Sequence, residues 1–436
     1  MKPLLALVAL AAFTSLHLHA AELPAWLEAD TAAAHPRVIE LRRDFHANPE
    51  LSNLEERTAR VVAERLRALG LEVKTGVAKH GVVAMLKGGK PGKCVAVRAD
   101  MDALPIEEAG NAPFKSTNPG VMHACGHDAH TAIALGVAEV LAKHRDELAG
   151  SVKFLFQPAE EAMPASFRGD WGAKLMLAEG ALENPTPSAI FALHCAPLVT
   201  VINSAGERED RPLVAGEIGY ASGAISANSD RFGIVVQGKM AHGSAPHRGV
   251  DSILVAAEII QGLQAIRSRN IDPQEPLVVS VGMIRGGLRE NIIAERVEMS
   301  GTVRTASIKT QDRVIALIEQ IASRIAEAHG ATATLDYRKG YPAVINHPAL
   351  VTSLMPTLER LVGREKLFAL QPSMGGEDFA YFAQKVPGFY LRLGTARPGV
   401  AKPAGIHTPD FDLDENSLLT GTRALTALVL ESLAQP

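Results

Sequence analysis

Apolar and polar residues alternate along this chain in two rhythms, and the places where one gives way to the other outline its elements. Segment 36–46 reads as a helix carrying Arg42, Arg43 and Asp44, broken by Asn48-Pro49-Glu50. A second helix over 55–69 keeps Val61, Val62, Leu66 and Leu69 on one side, and Gly70 stops it. Short apolar runs at 82–86, 94–97, 152–156 and 189–193 predict strands. The run 94–97 is continuous, which suits a sheet buried on both faces. Helices are expected at 129–145 and 172–180. Three of the strands run into a potential ligand or base, namely Asp102, Glu161 and His194. Open α/β sheets place their sites at such strand ends.

After a charged, turn-rich stretch at 204–212 the pattern changes. Strand 232–237, helix 250–267, strands 277–284 and 296–303, helix 311–329 and strand 331–337 follow in the order β-α-β-β-α-β. This is the split, ferredoxin-like arrangement. Four strands covered on one face by two helices make a separate unit of about 110 residues. From Pro348 the longer elements return: a turn at 375–379 opening a helix, strand 389–393, His407 on a loop and a closing helix 417–433. The expected parse is therefore a main domain in two pieces, 22–229 and 341–436, with 230–340 inserted between them.

Composition narrows the picture. A length of 436 residues suggests two or three folding units. Hydrophobic content of 47% with 21% charged residues describes a well-buried globular chain. Net charge is −4 with no basic block, which argues against a nucleic-acid partner. No apolar run after the N-terminus reaches the ~20 residues that span a bilayer. The leader itself, with Lys2, an apolar core over 4–16 and small residues at Ala20-Ala21, reads as a signal peptide over 1–21. The expectation is an exported protein, periplasmic or secreted. Three cysteines, Cys94, Cys125 and Cys195, are not a disulfide framework, although a Cys94–Cys195 bridge stays open.

The chemistry concentrates in 121–130, where Cys125, His127, Asp128 and His130 crowd together, and in Glu160-Glu161. A lone histidine is commonly just a partly buried polar residue; the full cluster with a paired acid is not. Cys125 and His127 flank Gly126, so on a loop both can face one ion. Thiolate and imidazole suit zinc, iron, nickel or manganese better than calcium or magnesium. Two adjacent ions need about five or six ligands, and the candidates are Cys125, His127, Glu161, His194 and His407. Neighbouring residues at a strand end point in different directions, so Glu160 and Glu161 can divide proton transfer and metal binding between them.

These residues resemble a known family. Arg43-Asp44-Phe45-His46 with Pro49-Glu50-Leu51, the run 98–105, His123-Ala124-Cys125-Gly126-His127-Asp128 and Gln157-Pro158-Ala159-Glu160-Glu161 are similar to the M20 metallopeptidases. The match is to their amidohydrolase branch of hippurate, N-acyl-amino-acid and auxin-conjugate hydrolases. The stretches 242–247, 301–305 and 376–379 and the final His407 extend it over about 36–430. The resemblance implies an α/β, mixed-sheet, zinc-peptidase-like catalytic domain with an inserted ferredoxin-like lid. It implies two divalent ions per subunit (Zn, Mn, Ni or Co) on Cys125, His127, Glu161, His194 and His407. It makes Glu160 the general base and acid, and Asp102 a residue that orients a ligand. His242, from its own or a partner subunit, would stabilise the oxyanion, while Asn291 and Arg304 would meet the substrate carboxylate. The expected reaction is hydrolysis of the amide bond of an N-acyl amino acid by activated water. The alternative is an exported carboxypeptidase or dipeptidase acting on short peptides; a non-catalytic binding protein and a Cys125 thiol hydrolase are further rivals. The partner is a small molecule, with a homo-oligomer through the lid as a further expectation. Two departures stand out: a longer connection over 195–211, near the mouth of the site, and Ile292-Ile293-Ala294 where the family usually has Ile-Pro after the residue at 291.

Overall fold

The computed structural model describes residues 23–161, 169–203 and 205–435. The leader expected at 1–21 lies outside them. Among the described residues no helix is long and apolar enough to cross a membrane.

The first helix, Trp26–Ala47, begins ten residues earlier than its sequence pattern suggested. Pro36 lies inside it on the solvent side. A proline there forfeits one hydrogen bond without colliding with the core. Leu27, Ala34, Val38, Leu41 and Phe45 form the buried stripe that holds the helix down. With Glu56–Ala68, His127–Lys143 and Asn416–Ala434 it packs on one face of a mixed sheet. The sheet runs in the order Glu72–Val77, Gly81–Lys87, Ala149–Gln157, Lys90–Asp100, Ile190–Ala196, Gly388–Gly394, Ile218–Tyr220, Leu367–Ala369. The short helices Gly172–Ala178 and Phe379–Ala383 cover the other face. Residues 94–100 are therefore buried without a break, which is why that run shows no alternation.

The inserted unit is a second sheet, in the order Leu277–Gly286, Arg296–Thr305, Asp230–Gln237, Thr332–Arg338, antiparallel throughout. Helices Ser252–Ala265 and Ile308–Ala328 cover one face. Its first and last strands are neighbours, paired from Arg231 with Arg338 to Gln237 with Thr332. The chain thus enters and leaves the lid side by side, and a whole domain fits between two strands of the main sheet.

Three details differ from the sequence pattern. The stretch read as a charged turn contains strand Arg208–Pro212, paired with Leu198–Ile202 in a hairpin. His194 lies inside strand Ile190–Ala196 rather than after it. Cys94, Cys125 and Cys195 are all free thiols, so no Cys94–Cys195 bridge forms.

Candidate metal centre

Gly126 makes the turn that aims Cys125 and His127 at one point. Its φ is +87°, and an added Cβ would stand 2.8 Å from Cys195 Cβ. His127 then opens helix His127–Lys143. Two backbone bonds between Leu104 and Met122, both 3.0 Å, tie this loop to the end of the central strand. The N–H of His407 donates to Ala124 O at 2.8 Å, bringing a residue from the far end of the chain beside Cys125.

The five donors converge. Cys125 Sγ lies 3.3 Å from His194 Nε2 and 3.2 Å from His407 Nε2. Glu161 Oε1 is 3.1 Å from His407 Nε2 and 3.8 Å from His127 Nε2. Two triads result, Cys125/His127/His194 and Cys125/Glu161/His407, with donor atoms within 4.8 Å in each. A third group joins His127 to Glu160 and Glu161.

The environment suits cations. His127 Nε2 and Glu161 Oε1 are buried and make no hydrogen bond, so neither has its bonding capacity met by the protein alone. Asp100, Asp102, Glu160, Glu377 and Asp378 are all buried nearby. One buried guanidinium, Arg98, serves Asp100, Glu377 and Asp378 at 2.7, 3.0 and 3.0 Å. Burial opposes a charged His127, but Asp100, Asp102 and Glu161 outweigh it and raise its pKa to about 10. The site attracts positive charge strongly enough to protonate an imidazole when nothing else supplies it. Burial, reinforced by Glu161 and Glu160, pushes the Cys125 thiol well above its ordinary value. That is the reverse of an activated nucleophile, and it weighs against a thiol hydrolase. Burial and His130 hold His194 well below its usual pKa, hence neutral as a ligand must be.

Supporting contacts fix the donors. Asp102 Oδ1 is 3.2 Å from His127 Nδ1, and its Oδ2 accepts from Ser52 Oγ at 2.6 Å and Glu161 N at 3.0 Å. His194 Nδ1 faces Cys195 O at 2.7 Å. Glu160 Oε1 accepts from Asp378 N at 3.3 Å. Burial, then Glu377 and Glu161, raise the Glu160 pKa well above the carboxylate range. Asp100 and His130, given no role by the sequence pattern, form a buried pair at 2.6 Å, and His130 Nε2 accepts from Cys195 N at 2.8 Å.

The remaining candidates lie elsewhere. His242 and Asn291 are exposed on the lid, where Ala241-His242 pairs with Ile292-Ile293. The departure at 292–294 is thus a short strand. Neither residue lines the cavity of about 560 Å³ that holds Cys125, Glu160, Glu161, His194 and His407. Arg304 is half-buried, 3.5 Å from where a Cβ on Gly376 would stand, and Gly376 does line that cavity.

A mixed sheet under an inserted lid, with clustered Cys, His and Glu donors beside a buried acid, defines a metal-dependent hydrolase. The family model "Peptidase family M20/M25/M40" matches residues 96–431, and the chain belongs to that family. It is 38% identical to Thermostable carboxypeptidase 2 of Saccharolobus solfataricus, over 93% of this chain and 98% of that protein. It is also 38% identical to N-acetylcysteine deacetylase of Bacillus subtilis, over 92% and 99%. Among solved structures, a dinuclear metal-binding M20 peptidase from Bacillus subtilis superposes with a TM-score of 0.77 at 36% identity, covering 92% of this chain and 99% of that one.

Proposed function

We propose that this protein hydrolyses the amide bond of N-acyl amino acids, with Glu160 as the proton shuttle. The observation that carries the reading is Glu160 itself. It is a buried carboxyl next to Glu161, and it lines the cavity that contains the donors. Cys125, His127, Glu161, His194 and His407 would hold two divalent ions; zinc, manganese, nickel and cobalt all suit this donor set. Ions bound there would polarise the carbonyl and acidify water. Glu160 takes a proton from the attacking water and delivers it to the leaving nitrogen. Asp102 keeps His127 in one orientation through its Nδ1, as carboxylates behind a ligand do. Arg304, half-buried and without an ion pair among the described residues, receives the amino-acid carboxylate, and Asn291, exposed on the lid, joins it only after lid closure or from a partner copy.

His242 is too exposed on its own lid to serve its own cavity as placed, so we assign it to oxyanion stabilisation in a partner copy or after lid closure. Export to the periplasm or medium completes the reading, on the strength of the leader. The carboxypeptidase names among the relatives keep short peptides as the second reading. A panel of N-acyl amino acids and dipeptides under identical metal loading separates the two by kcat/KM. Glu160→Gln should retain metal and lose turnover about a thousandfold. Normal turnover in that variant removes Glu160 from the mechanism.

A further inference from the structure

The cavity extends from the metal donors along the hairpin Leu198–Ile202 and Arg208–Pro212. Leu198, Val199, Leu370 and Pro372 give its wall there an apolar strip, beside the polar Thr200, Asp210 and Gln371. Among the described residues one cation lines it, Arg392. In the parallel pairing of Gly388–Gly394 with Ile190–Ala196, Arg392 stands directly beside His194. Residues opposite one another in a ladder share a face, so its side chain leaves the sheet on the same side as that donor. The guanidinium lies 5.2 Å from the centre of the Tyr390 ring, and its hydrogen bond is a long one, 3.5 Å, to the neutral Ser373 Oγ.

Arg392 is half-buried and has no carboxylate partner among the described residues. The buried Arg42 and Arg98 contrast with it, each held by carboxylates. Asp210, the other charged group on this wall, is exposed, accepts from Thr200 Oγ1 at 2.6 Å and forms no ion pair with Arg392. A guanidinium drawn partly out of water without a counter-charge is costly. Its planar fork matches a carboxylate.

We propose that Arg392 and the hairpin form a subsite for an acyl group that ends in a carboxylate. The apolar chain of the acyl group lies along Leu198, Val199 and Leu370, and its terminal carboxylate meets Arg392. Arg304 sits behind Gly376 and does not line this wall, so the two anionic ends of such a substrate go to separate guanidinia. The inference rests on the N-acyl-amino-acid reading and narrows it to dicarboxylic acyl groups.

The test compares acyl chains from malonyl to adipyl with neutral acyl chains of equal length on one amino acid. In the wild type one dicarboxylic length should exceed its neutral counterpart in kcat/KM by about tenfold or more. Arg392→Leu should abolish that ratio mainly through KM, Arg392→Lys should keep part of it, and Asp210→Asn should enlarge it. Calorimetric binding of the same compounds to metal-loaded Glu160→Gln protein, with and without Arg392→Leu, reads the subsite without turnover. No preference at any length, or an equal loss for charged and neutral chains in Arg392→Leu, overturns the proposal. If neutral chains are cleaved without any such preference, the subsite fails and the enzyme class stands. If nothing is cleaved but Arg392-dependent binding persists, the enzyme class fails and the subsite stands.

Discussion

Gly126 shows how much a single residue decides here. The left-handed turn at +87° and the 2.8 Å approach to Cys195 both require a residue without a side chain. Gly126→Ala should lower stability by about 2 kcal/mol, from backbone strain and the displaced Cys195 together. It should also reduce bound metal, because Cys125 and His127 no longer share an aim. Denaturant melts and metal analysis check this; unchanged values for both mean that the turn is not the constraint. The donors themselves were legible as residue types because their signals are local: two ligands around a glycine, a paired acid after an apolar strand. Arg98, Asp100, His130 and Glu377 lie inside the stretches that the sequence singles out, but nothing local tells which of them meet. Arg98 reaches Glu377 across 279 positions and His130 reaches Asp100 across 30. One hint was present: His130 follows His127 by one helical turn, which places both on the same face.

Elements were recovered where one side of the chain is apolar and missed where context overrides the pattern. The pattern starts the first helix at Pro36, because a proline normally starts a helix or ends one, whereas the helix itself spans Trp26–Ala47. The stretch 204–212 suggests a turn because Arg208–Pro212 is polar on both faces. Its pairing with Leu198–Ile202 makes it a strand. Glu415, at the start of the last helix, tests how the outer helices are fastened. It accepts from Arg43 at 2.8 and 2.5 Å and from Arg42 at 3.5 Å. Burial raises its pKa, but the bonds and charges of Arg43 and Arg42 win, and the folded value lies below the ordinary 4.5. A carboxylate lowered on folding stabilises above its unfolded pKa and loses that contribution as pH falls through the folded value. Glu415→Gln should therefore cost about 1 kcal/mol near pH 7, allowing for the exposure of Arg43. The gap should close well below pH 4.5. Denaturant titrations of both proteins at the two pH values decide it; a gap independent of pH means that packing, not charge, is what the substitution removes.

At the scale of the molecule the question is how the lid communicates with the site. Tyr341 lies just past the last lid strand, and its hydroxyl donates to Glu160 O at 2.9 Å while accepting from Trp171 Nε1 at 2.9 Å. Its carbonyl accepts from Ser229 N, so both lid connections meet there. Tyr341→Phe should reduce kcat about tenfold with metal content unchanged, because the backbone of Glu160 loses its anchor. An unaltered kcat would show that this contact does not act on Glu160. The outermost lid strand, Leu277–Gly286, pairs on one side only and exposes Met283 at 51% and Ile284 at 52%. Such an edge invites a second copy. If this edge joins two copies, Ile284→Glu should lower the native mass by light scattering and, if His242 works across subunits, lower activity with it; a fully active wild-type monomer would end that idea. The sequence alone determined the order and type of most elements, the βαββαβ pattern of the lid and the residue types at the centre, since each of these is set by neighbours within a few positions. Only the tertiary structure decided which donors meet, that His242 and Asn291 stand outside the cavity, and that Arg392 lines it beside His194. Those facts depend on strand order, parallel register and the burial of charge, which arise from contacts between residues far apart in the chain.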